Sequence, residues 1–154
     1  MEHKDITGSD NHEPKGVESA SSGEVYVADG AGSGSWEPNT LGSKYVLSAR
    51  FDDISTAASI YTVAPFAGTI TAIYVVLNGA ITVADSNVTV EIAGVPVVGL
   101  AVTVAYTGSA AGSVFSDTAI TSSNAVTAGQ AIEIITDGAS TTAASAQVIL
   151  VITV

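Results

Sequence analysis

The sequence predicts an all-β protein. The expected architecture is an antiparallel β-sandwich of about eight strands, jelly-roll-like first and immunoglobulin-like second, preceded by an extended N-terminal anchoring segment. Three observations predict it. Ala (24), Val (20), Thr (17) and Ile (13) dominate the 154 residues, whereas Leu appears 5 times and charged residues make up only 12%. Abundant β-branched residues with little Leu, Lys, Arg or Glu argue against helical bundles. From Lys44 onward, apolar and polar residues alternate with period two, in runs closed by Gly, Asn, Asp and Ser. No ten-residue helical period separates those runs.

Composition changes near residue 42, which divides the chain into 1–42 and 43–154. The first part holds seven of the 15 Gly, two of the four Pro, both His and eight of the 15 acids. Its one strand-like stretch is Glu24–Ala28. So little apolar material does not fold alone, because ordering a residue costs roughly 1–2 kcal/mol of backbone entropy. Yet Val17, Val25, Tyr26 and Trp36 gain by burial. The segment therefore reads as an extended anchor for another surface, with a flexible leader as the alternative.

In the second part, strands are predicted at 45–51, 59–63, 69–77, 87–93, 95–98, 101–107, 131–136 and 147–154. In 87–93, Val88, Val90 and Ile92 share one face and Thr89 and Glu91 the other, as in a half-buried strand. Residues 101–107 place Val102, Val104 and Tyr106 together. The last strand is apolar on both faces, so it belongs in the centre of a sheet or at an interface. Ser55-Thr56-Ala57-Ala58 has room for one short helical turn. Ile73, Val75, Ile135, Ile149 and Val151 read as outward-facing. A single sandwich does not hide them all, which points to a homo-oligomer.

Charge excludes several functions. The net charge is −11, and the only basic residues are Lys4, Lys15, Lys44 and Arg50. Nucleic-acid phosphates and anionic membranes need more Lys and Arg than this. No run approaches the ~20 apolar residues of a membrane span, and the polar N-terminus lacks a signal peptide's apolar core. With no Cys there are no disulfides or thiolate metal sites.

No constellation points to catalysis, a metal or a cofactor. His3 and His12 lie in the leader, outside any water-poor pocket. Asp52 and Asp53 are adjacent and would point to opposite faces of a strand. Asp85, Glu91, Asp117, Glu133 and Asp137 read as solvated turn and surface acids, not as the cleft-flanking pair of a glycosidase. The run from Asp29 to Ser35 contains Gly-x-Gly-x-Gly but no following helix, so it fails as a dinucleotide fingerprint. It also lacks the repeated acids of a calcium loop, and reads as a glycine-rich turn. Asn87-Val88-Thr89 matches a glycosylation sequon by chance.

The leader's two motifs are His12-Glu13-Pro14-Lys15-Gly16-Val17 and the stretch Val25-Tyr26-Val27-Ala28-Asp29-Gly30-Ala31-Gly32-Ser33-Gly34-Ser35-Trp36. Over residues 5–36 the chain resembles the N-terminal part of head-fibre and head-decoration proteins of tailed bacteriophages. Residues 44–154 look like the small β domains that such proteins carry outward. The resemblance implies a virion structural protein on the capsid exterior, made in the host cytoplasm. It implies a homo-oligomer, a trimer, bound to the major capsid protein through its N-terminal segment. His12, Pro14, Lys15, Gly16, Val17, Val25, Tyr26, Asp29 and Trp36 are then the expected capsid-binding or inter-subunit residues. The alternative is a fibre or adhesin module for a host-surface glycan. That reading asks for exposed rings, whereas most of Tyr45, Phe51, Tyr61, Phe66, Tyr74, Tyr106 and Phe115 are expected in the core.

Overall fold

The computed structural model describes residues 20–31, 34–38 and 44–154. The chain divides into two units, Met1–Gly42 and Ser43–Val154. In the first, β1 (Glu24–Ala28) pairs antiparallel with β2 (Gly34–Pro38) as a two-stranded sheet.

The second unit holds nine strands. In order they are β3 (Lys44–Phe51), β4 (Ala58–Val63), β5 (Gly68–Leu77), β6 (Ser86–Ile92), β7 (Val95–Val104), β8 (Val114–Asp117), β9 (Ala125–Val126), β10 (Ala131–Thr136) and β11 (Ala146–Thr153). One sheet runs β3-β11-β5-β8, with β9 also on β5, and the other runs β4-β10-β6-β7. All pairings are antiparallel. Leaving β9 aside, the first strand pairs with the last, the second with the next to last, and so inward to β6 with β7. A nested hairpin of this kind rolled into two sheets is a jelly roll. In an immunoglobulin-like sandwich the first strand would pair with the second. The described residues contain no helix, and 54–55 form only a turn.

The core lies between the sheets, where alternate residues of each strand meet. Val88, Val90 and Ile92 from β6, Ile132 and Ile134 from β10, and Val148, Leu150 and Ile152 from β11 are all buried. Fully burying one such side chain is worth roughly 1.5–3 kcal/mol. β11 sits between β3 and β5, as its two-sided apolar pattern requires.

Two bulges explain where period-two reading goes astray. On β5 the register with β11 steps from Val151↔Ala72 to Ile152↔Ile70, so Thr71 is an extra residue. The bulge changes the strand's phase. Ile70 and Ile73 both turn inward, followed by Val75 and Leu77. Ile73 and Val75 are therefore core residues, not the outward pair expected from alternation; Ile135, Ile149 and Val151 are half-buried. On β7 the register with β6 jumps from Thr89↔Ala101 to Glu91↔Pro96. Gly99 sits in this bulge at φ +81°, and a Cβ there would lie 2.7 Å from the Ala119 carbonyl. Residues 95–104 thus form one bulged strand where the sequence suggested two. β7 stops at Val104, and Tyr106 lies beyond it, exposed.

Candidate functional site

Of the leader residues singled out by sequence, Val25, Tyr26, Asp29 and Trp36 are described. His12, Pro14, Lys15, Gly16 and Val17 lie outside the described residues. The expected extended segment is, over 24–38, a hairpin: β2 was missed because Gly, Ser and Pro are poor strand formers. The signal that finds it is a Gly-containing turn between Tyr26 and Trp36, since Gly-rich turns between aromatic or β-branched runs mark hairpins.

The register places Tyr26 directly opposite Trp36. Their rings meet edge to face, 5.4 Å between centroids at 65°, which suits the positive edge of one ring against the negative face of the other. Val25 and Val27 point to the other face, opposite Glu37 and Ser35, and are exposed. The Ser35 hydroxyl donates to Glu37 Oε1 at 2.9 Å. At the turn, Asp29 Oδ1 accepts the Ala31 N–H at 2.8 Å, and Gly30 takes φ +76°. Gly34 is required, because a Cβ there would overlap the Val27 carbonyl and sit 2.9 Å from Tyr26 Cε1. Glu24, Asp29 and Glu37 give this hairpin three acids, and none of its described residues is basic.

The acids of the sandwich mostly close turns and strand ends. Asp53 accepts the Ser55 N–H at 2.8 Å and the Ser55 hydroxyl at 2.6 Å. Those bonds hold its carboxyl below the ordinary 3.8, against a smaller opposing effect of burial. Asp85 accepts the Tyr106 N–H, and Asp117 accepts the N–H groups of Ala101 and Ala119. Asp137 accepts the Asn87 N–H at 2.9 Å and its side-chain amide at 2.8 Å. It also accepts from Ser86 and Ala139. Burial works to raise the Asp137 carboxyl, but these donors, the Asn87 N–H foremost, leave it lowered.

Glu91 and Glu133 stand directly opposite each other on β6 and β10, and Tyr61 of β4 is opposite Glu133 on its other side. Hydrogen bonding toward the Glu133 carboxylate, then burial, then the charges of Glu133 and Glu91 push the Tyr61 phenol above its ordinary 10.0. Among the described residues, no three His, Cys, Asp or Glu gather to hold a metal ion. A hollow of about 300 Å³ is lined by Ile92, Val95, Ser123, Asn124, Ala125 and Gln130, none of them titratable.

The aromatic expectation needs correction. Of the sandwich rings only Phe51 is buried; Tyr45 and Phe115 are half-buried. Tyr61 and Phe66 are 67% and 62% exposed, and Tyr74 and Tyr106 also face solvent. Tyr61 sits on an outward position of edge strand β4. Phe66 lies in the β4–β5 turn, stacked edge-on against Tyr45, whose hydroxyl donates to the Phe66 carbonyl at 2.6 Å. No family model matches the chain, and no curated protein is significantly similar to it.

Proposed function

We propose that the protein is a structural component of a tailed-bacteriophage virion. It decorates the capsid exterior as a homo-oligomer, docked on the major capsid protein by its N-terminal segment. The observation that carries this reading is the β1–β2 hairpin. A two-stranded sheet is marginal in water by itself, yet this one displays Val25, Val27 and the Tyr26–Trp36 pair on its two faces. Such a unit gains stability by lying on another protein, where strand edges add to sheets and aromatic anchors dominate the binding energy. Its motif also carries the resemblance to head-fibre and decoration proteins. Several copies acting together convert modest contacts into firm attachment, and the resemblance favours three.

The test is co-sedimentation of full-length protein with capsids stripped of their accessory proteins. Trp36→Ala removes an anchor worth about 2 kcal/mol or more, which is roughly a thirtyfold loss of affinity per site. Undiminished decoration by this variant would refute the docking role.

A second reading, a glycan-binding fibre module, is favoured by the solvent-facing Tyr61, Phe66, Tyr74 and Tyr106, since sugar faces stack on exposed rings. Glycan-array binding that is lost on Tyr61→Ala or Tyr106→Ala supports it, and a blank array removes it.

A further inference from the structure

The outer face of the β3-β11-β5-β8 sheet differs from that of the other sheet. Its outward residues are Lys44, Val46, Ser48 and Arg50 on β3, Gln147, Ile149, Val151 and Thr153 on β11, Thr71, Tyr74 and Val76 on β5, and Val114 and Ser116 on β8. None is acidic, although the unit contains seven acids. The other sheet's outer face has Glu91 and Glu133 side by side at its centre. The two cations lie on the β3 edge, and Arg50 is already engaged, 3.5 Å from Asp52 and 3.2 Å from the Ser145 hydroxyl. The middle of the face is a neutral patch of Val46, Val151, Ile149, Tyr74, Val76 and Val114. Val46 is 62% exposed and Val114 60%.

We infer that this face is where copies of the chain meet. The inference rests on the homo-oligomer in the proposed function and names the surface that makes it. Two physical requirements select a second copy as the occupant. Each chain carries −11, so copies associate only through a surface that brings no carboxylates together. Of the two outer sheet faces, this is the one whose centre satisfies that condition; the one carboxylate at its rim, Asp52, sits beside Arg50. A face without free charge at its centre also offers nothing to select a charged foreign partner, whereas the neutral faces of sister copies gathered about a common axis bring no like charges together. The area is adequate. The 30 residues of β3, β11, β5 and β8, at ~3.3 Å along and ~4.8 Å across the strands, cover roughly 480 Å² per copy, close to the ~1,000 Å² total at which specific interfaces begin.

The edges agree. β7 is closed off by the 121–122 segment, which exchanges hydrogen bonds with Val98, and by Asp117 on the Ala101 N–H. β3 has no second strand neighbour among the described residues. Among the described residues of the sandwich, no segment caps β3 in the way that 121–122 caps β7.

The experiment is sedimentation velocity on the full chain over a hundredfold range of concentration. It compares wild type with Val46→Glu, Tyr74→Glu and, on the opposite face, Val63→Glu. The expected result is an assembled wild type and an assembled V63E. V46E and Tyr74→Glu should dissociate at least tenfold more readily, with unchanged far-UV circular dichroism. A second measurement covers loss of folding in those variants. The chain has no Cys, so Ser48→Cys and Thr89→Cys each provide one thiol. Ser48→Cys should react with a bulky maleimide slowly when assembled and rapidly on dilution, while Thr89→Cys reacts alike in both. Dissociation of V63E, persistence of V46E assemblies, or equal protection of both thiols overturns the inference while leaving the oligomer standing. A monomeric wild type overturns the oligomer and the face together, and leaves hairpin docking to be judged by Trp36→Ala.

Discussion

Gly34→Ala is a single-methyl test of the hairpin. The added Cβ would overlap the Val27 carbonyl and stand 2.9 Å from Tyr26 Cε1, where ordinary contact begins at 3.4 Å. The ring can retreat by half an ångström. The carbonyl cannot, because it belongs to the backbone beside the Val27↔Ser35 and Ala28↔Gly34 pairs. Overpacking of this kind costs typically about 1–3 kcal/mol. A free two-stranded sheet has almost no stability to spend; a loss of about 2 kcal/mol changes its folded fraction roughly thirtyfold. Trp36 is the chain's only tryptophan, so its fluorescence reports the hairpin alone. The expected result is a red-shifted emission and loss of the near-ultraviolet signal of the Tyr26–Trp36 pair. Denaturant unfolding of the sandwich, followed by far-UV circular dichroism, should stay at its wild-type midpoint. Capsid retention should fall with the fluorescence change. An unshifted emission would refute the register; a shifted emission with full capsid retention would refute the hairpin as the anchor.

Three further outcomes follow from the sandwich. Ser86 and Thr136 are buried; their hydroxyls lie 2.9 Å apart, and each lies 3.1 Å from the Ile54 carbonyl oxygen, so either can donate to it. Ser86→Ala and Thr136→Val should each cost about 1 kcal/mol, and the double variant clearly more than the sum by urea titration, because only it orphans that carbonyl. Glu91→Gln should raise the melting temperature at low salt, since like charges directly opposite cost about 0.2–1 kcal/mol, and the gain should shrink in 1 M salt. Asp53 and Asp137 titrate below their ordinary 3.8; their contribution is present above that value and is lost as pH falls through the lowered folded values. Asp137→Ala should therefore flatten the acid limb of a stability-versus-pH curve, and an unchanged limb would exclude Asp137 as its source.

Most of the sandwich is written in its alternation. β3, β4, β6, β10 and β11 begin and end within a residue or two of the apolar runs, because those strands carry no extra residue that breaks their alternation. The jelly-roll order itself agrees with strand spacing alone. What alternation does not encode is a change of phase. Thr71 and Gly99 each sit in a bulge, and beyond each bulge the buried set moves to the other parity, which is why Ile73 and Val75 read as outward. The short β8 and β9 escape for a different reason. Val114–Asp117 and Ala125–Val126 are held by β5 and not by their own pattern. Exposure of Tyr61 and Tyr106 was illegible because ring hydrophobicity suggests burial, while strand position decides it. In the hairpin, Tyr26 and Trp36 stood out by residue type, but their contact depends on a register that Gly34 permits.

The charge map assigns different work to the two units. The leader's two cations, Lys4 and Lys15, lie outside the described residues, and the described hairpin presents Glu24, Asp29 and Glu37. A surface that receives it must then supply apolar contact and basic or neutral edges, and salt weakens such an attraction. The proposed contact between sandwiches has the opposite requirement. Copies that carry mutual repulsion would come together over a neutral face, and salt that screens the repulsion would strengthen the contact. Docking to a basic surface and assembly are therefore expected to respond to ionic strength with opposite sign. That difference follows from three carboxylates on the hairpin and from a sheet face whose centre excludes the sandwich's seven.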